Sequence, residues 1–176
     1  MALLVVTITL AGKLWCQGKP LKTDAAPRGI SSYEFSWNES DARAILADWE
    51  NRITVKRPQI KITEVAQEQL KWDNIFLVFY PLLFSLTCGM LGNALGSAWA
   101  SIGFILSWAI LLAGPLDAAE NYALHTMIRR GASEGMAKLA GWCAGIKFFL
   151  VYLALGYIVL VGTPIAFNYL LHLFLQ

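Results

Sequence analysis

The stretch Ala109–Arg130 reads AILLAGPLDAAENYALHTMIRR and sets Asp117, Glu120 and Asn121 inside an otherwise apolar run. It also holds His125, one of the chain's two histidines, and closes on Arg129 and Arg130. Wound as a helix, it brings Asp117, Asn121, His125 and Ile128 near one face, with Glu120 about sixty degrees away. Gly114-Pro115 starts a new helical segment or kinks a longer one. Ionisable groups beside a hydrocarbon span face partners or water rather than lipid. Two readings are open. One is a site for a ligand, a proton or a partner. The other is an interhelical contact in which Asp117 and Glu120 hold a cation from a neighbouring helix.

The surrounding composition makes these helices membrane helices. The chain has 176 residues, 57% of them hydrophobic, and a mean hydropathy of +0.52, above the range of soluble domains. The net charge of +2, with no basic patch and no run of like charge, carries no nucleic-acid signal. Cys16, Cys88 and Cys143 are isolated and irregularly spaced. They are expected to be reduced thiols rather than ligands or disulfides.

The expected fold is an all-α membrane protein with about four transmembrane helices and a roughly 55-residue polar insertion between the first two. Residues 1–16 form the first span, 17–71 the polar loop, and 72–176 a three-helix transmembrane unit. The first helix is short for a span of about 20 residues, so Lys13 snorkels at its end. With no Lys or Arg before Lys13, the segment lacks the positive start of a signal peptide and is read as retained.

In the loop, Tyr33, Phe35 and Trp37 alternate with Glu34 and Ser36, a strand-like period of two. With no partner strand in sight, this reads as an extended aromatic segment at the membrane interface. Asn38 or Ser40 then caps an amphipathic helix with the stripe Ala42, Ile45, Leu46 and Trp49. After Pro58, Thr63 caps a helix running straight into the second span, about 72–92. A turn at 92–97, a third span over 98–116, a basic connection over 129–145 and a fourth span over 146–175 complete the chain.

All fourteen Lys and Arg residues, from Lys13 to Lys147, then fall on one side or at its membrane edge. By the positive-inside rule that side is cytoplasmic. Asp73, Asp117, Glu120, Asn121 and Lys147 all come to lie at cytoplasmic helix ends, and Lys147 is the cation that matches Asp117 or Glu120.

No complete catalytic set is present, and neither a metal nor another cofactor is expected. Haem between His125 and His172 would need both at one depth, yet 25 helical residues from Lys147 rise about 37 Å. Glu120 and His125 do not make the Glu-x-x-His pair of a di-iron bundle. Asp117 and Glu120 alone are too sparse for a magnesium diphosphate site, and no GxSxG occurs.

The segments APRGIxxYEF (Ala26–Phe35), AILAxW (Ala44–Trp49) and PLDAAEN (Pro115–Asn121), the last containing LDAxEN, are similar to those of uncharacterised small bacterial integral membrane proteins. That resemblance implies a bacterial inner-membrane location and a shared architecture. The expected role is a non-enzymatic accessory or interaction protein. Its expected partners are the lipid bilayer and a membrane protein complex or a bound lipid. The alternatives are a binder of a lipid or other amphiphile at the polar cluster, and a small membrane enzyme using Asp117, Glu120 and His125.

Overall fold

The computed structural model describes residues 1–54, 57–95 and 98–174, with side chains throughout except at 57, 58, 95, 98 and 165–174. The order is α1 (Ala2–Gln17), a 3-10 turn at Lys19–Leu21, α2 (Ile30–Glu34), α3 (Glu39–Asn51), β1 (Ile53–Thr54), β2 (Arg57–Lys61), α4 (Ile62–Leu95), α5 (Ala98–Ala109), a 3-10 turn at Ile110–Leu112, α6 (Ala113–Arg130) and α7 (Glu134–Phe174).

Three helical stretches are long and apolar enough to cross a membrane: Ile62–Ala94, Trp99–Arg130 and Glu134–Pro164. The second is composite. Its 3-10 turn lets α6 restart at Ala113, so Pro115 falls in the first turn, where its missing N–H costs nothing. The expected basic connection over 129–145 is mostly helix: α6 runs to Arg130, Gly131 (φ 93°) terminates it by donating to the Met127 carbonyl at 3.0 Å, and α7 begins at Glu134. The span expected over 98–116 therefore runs on to Arg130, and the one expected over 146–175 begins at Glu134. The boundary drawn at residue 72 falls inside the unbroken α4. With 16 residues, α1 rises about 24 Å, less than a hydrocarbon core of about 30 Å.

The loop region folds into a cap on one end of the long helices. Asn38 is the N-cap of α3, its side chain accepting from the Asp41 N–H at 2.8 Å. The α3 stripe of Ala42, Ile45 and Trp49 is buried. Trp49 donates its indole N–H to the Leu21 carbonyl at 3.1 Å and packs against Tyr33 at 5.4 Å between ring centroids. The segment 30–34 is a helical turn, not a strand. Tyr33 and Glu34 are both buried in it, while Trp37 lies exposed at φ 56°. Alternation fails because Gly29, at φ 65°, turns the chain into α2 and so brings consecutive side chains inward.

Two apolar cores result. The cap core gathers Leu21, Tyr33, Ile45 and Trp49 with Ile62, Ala66 and Leu70 of α4, Leu124 and Met127 of α6, and Ala137 and Ala140 of α7. The second gathers Tyr80 and Cys88 of α4, Ile110, Ala113, and Ala154, Tyr157 and Val161 of α7.

Candidate functional site

On each of α4, α6 and α7, polar residues stand between the positions that enter the two cores. On α4 they are Asp73 and Asn74, between Leu70 and Tyr80. On α6 they are Asp117, Glu120 and Asn121, between Ala113 and Leu124. On α7 the residue is Lys147, between Ala140 and Ala154. The registers therefore coincide, and the side chains meet in one polar layer.

Lys147 is its centre. Its Nζ lies 2.7 Å from Asp117 Oδ1 and 2.7 Å from Glu120 Oε2. Only the Asp117 contact has hydrogen-bond geometry; both Glu120 oxygens lack a well-directed donor. Asp117, Glu120, Asn121 and Lys147 are 3%, 1%, 3% and 6% exposed, so the pairs act in a medium of low dielectric. Asn121 extends the layer to α4, donating its side-chain amide to Asp73 Oδ2 at 2.7 Å and to Asn74 Oδ1 at 3.3 Å. Below the layer, the Tyr80 hydroxyl donates to the Ala113 carbonyl at 3.3 Å.

Sequence reasoning missed one member. Glu34 of α2 is buried against the layer, where the charges of Lys147 and Asp117 act on it and its carboxyl meets those of Glu120 and the Ser31 side chain. Burial raises the Glu34 pKa above the ordinary carboxylate range, and the Asp117 charge raises it further. Lys147 and the contacts with Glu120 and Ser31 pull it back. Two ionised carboxylates are both acceptors, so the Glu34–Glu120 contact is a hydrogen bond only when one of them carries a proton. The signal for Glu34 was present in the sequence: a carboxylate enclosed between Tyr33 and Phe35.

The neighbouring aromatics hold this arrangement. Phe35 stacks on Phe148 of α7 at 5.9 Å, and Trp37 meets Trp142 edge-on at 5.5 Å. Trp37 can lie there because Gly141 has no side chain; a Cβ at 141 would stand 2.9 Å from the indole. So Tyr33 belongs to the cap core, and Phe35 and Trp37 clasp α7.

Of the residues named from sequence, the structure brings together Asp73, Asp117, Glu120, Asn121 and Lys147. His125, one turn beyond Asn121, is half-buried and takes part in none of these contacts. It lies beyond the layer, beside the cap-core positions Leu124 and Met127. The His172 side chain lies outside the described residues. Among the described residues no group of His, Cys, Asp or Glu has the arrangement to hold a metal ion.

Chemically, four carboxyls face one ammonium. The layer can pair charge and tie α2, α4, α6 and α7 together. Compared with protein-family models, curated proteins and solved structures, the chain matches none.

Proposed function

We propose that this is a non-enzymatic integral membrane accessory protein whose buried charge layer fastens a folded cytoplasmic cap to its membrane helices. The observation that carries this reading is the closed Lys147 centre. Asp117, Glu120, Asn121 and Lys147 are almost wholly shielded from solvent. A catalytic or ligand-binding centre has to admit its substrate. A closed ion pair suits a fastening, since lipid tails are as apolar as Leu and give helices no hydrophobic reason to associate.

The membrane reading draws support from the outer surface. Only 22–28% of the most apolar window of each long helix is buried. Leu82, Leu86, Phe104, Trp108, Phe149 and Leu160 are turned outward, more apolar surface than a water-soluble monomer exposes. The Lys/Arg asymmetry supports a cytoplasmic cap, and the resemblance of the APRGIxxYEF and PLDAAEN segments to small bacterial membrane proteins supports a bacterial inner membrane. We read α1, the expected first span, as a short membrane helix beside these three; its contact with α4 and the Lys13 ammonium 2.9 Å from the centroid of the Trp72 ring support that reading.

The test is complementation of a deletion strain by Asp117→Asn/Glu120→Gln/Lys147→Met, which removes the charges and keeps the volumes. A fastening that can be replaced by packing predicts a folded variant that restores the phenotype. A folded variant that fails would assign the charges to chemistry or ligand binding and overturn the proposal.

A further inference from the structure

Between the end of α1, the turn after it, the start of α2 and the side of α4 lies an open groove of about 420 Å³. Its lining is mixed: Lys19, Lys22 and Arg28 are basic, and Leu14, Trp15 and Phe76 are apolar. The Lys19 ammonium sits 4.2 Å from the centroid of the Trp15 ring. None of the three cations takes part in an ion pair among the described residues. Gln69 also lines the groove, only 8% exposed, its Oε1 without a partner and its Nε2 in a long 3.4 Å contact with the Leu14 carbonyl. Three cations outside any ion pair and a buried amide oxygen free to accept form a site for an anion carrying hydroxyl groups.

We infer that this groove holds the phosphate headgroup of an anionic membrane phospholipid. Lys22 and Arg28 take the phosphate, Gln69 accepts from a glycerol hydroxyl, and the upper acyl chain runs along Leu14 and Phe76. The apolar lining favours a lipid over a free phosphate ester, and the helix that supplies Leu14 and Trp15 also turns Leu4, Val5 and Ile8 outward. Trp15, with Lys13 over Trp72, marks the same level as the interface. The inference rests on the membrane reading above and gives that reading a ligand outside the charge layer.

The experiment reads lipid retention by native mass spectrometry. The protein is released from nanodiscs of phosphatidylcholine containing phosphatidylglycerol. Wild type should retain phosphatidylglycerol over phosphatidylcholine, and Lys22→Gln/Arg28→Gln should retain it about 30-fold less, at about fivefold per cation. The control Arg129→Gln/Arg130→Gln removes equal charge from the far side of the cap and should retain it as wild type does. Equal loss in both variants would reduce the effect to diffuse attraction and overturn the site. Displacement of the lipid by millimolar glycerol 3-phosphate would also overturn it, in favour of a soluble phosphate ester. Alkaline extraction of native membranes is run alongside. Release of the protein into the supernatant would overturn the membrane reading itself, whereas a failed groove with the protein still in the pellet leaves that reading standing.

Discussion

Lys147 on α7 and Asp117 on α6, thirty residues apart in sequence, meet at 2.7 Å with both side chains less than a tenth exposed. Removing one partner of a buried pair strands the other, which costs more than removing both. Lys147→Met alone should therefore lower stability by about 3–5 kcal/mol. Adding Asp117→Asn or Glu120→Gln should recover part of that loss. Thermal unfolding in detergent of the singles and doubles measures the coupling. Strict additivity in both cycles would mean that Lys147 does not share its charge with either carboxylate.

A pH dependence follows from Glu34. Its pKa is raised in the folded protein, chiefly by burial. The folded state thus holds a proton that the unfolded chain releases near the ordinary glutamate value of about 4.3. The stabilisation is complete below that value and is lost as pH rises through the folded pKa. Unfolding followed from pH 4 to pH 8 should show stability falling upward across this range for wild type, and a shallower fall for Glu34→Gln. Superimposable pH profiles would remove Glu34 from the layer.

Close packing at Gly103 offers a test of the second core. A Cβ there would run into the Tyr157 hydroxyl and stand 2.8 Å from the Cys88 carbonyl and 3.0 Å from Gly92 Cα. Gly103→Ala should cost about 1–3 kcal/mol as overpacking, outweighing the roughly 1 kcal/mol gain in helix propensity. Gly12→Ala, with nothing within 4 Å of its Cβ, should be neutral or slightly stabilising. Equal melting temperatures for the two variants would contradict this packing of α5 between α4 and α7.

Orientation is checked with single cysteines in a background lacking Cys16, the exposed native thiol. Ser40→Cys, on the exposed surface of the cap, should react with a membrane-impermeant thiol reagent only after the cells are opened. Asn93→Cys, at the far end of α4, should react in intact cells. The reverse pattern would invert the topology.

The parts of this structure legible in the sequence are those governed by helical period and depth. The α3 stripe, the unbroken run of α4 through residue 72, and the meeting of Lys147 with Asp117 and Glu120 all follow from counting residues along helices, whereas Thr63, expected to cap α4, lies inside it because the helix begins at Ile62. Short elements were not legible. The β1–β2 hairpin commits only a few residues to strand pairing, too few to leave an alternating pattern. Residues 33–37 do alternate, but a single positive-φ glycine upstream decides their conformation, and Glu34 was assigned to the wrong face for that reason. His125 falls on the Asp117 side of α6 by angle. Depth excludes it, because it lies a turn nearer the cap, beyond the reach of Lys147.

Chain order gives the charge layer a consequence for biogenesis. Glu34, Asp73, Asp117 and Glu120 are all synthesised before Lys147, the cation that holds two of them. If the chain is inserted as the membrane reading proposes, the carboxyls of α4 and α6 have no counter-charge in the bilayer until Lys147 arrives and must stay near the lipid headgroups or take up protons. Helix α7 therefore does more than add a final span. Its arrival draws the acidic helices to their final depth and gives the cap a surface to close on. On the membrane reading, a nascent chain truncated before residue 147 would sit shallow, its cap unlatched and open to quality-control proteases, so α7 is the helix that locks the layer.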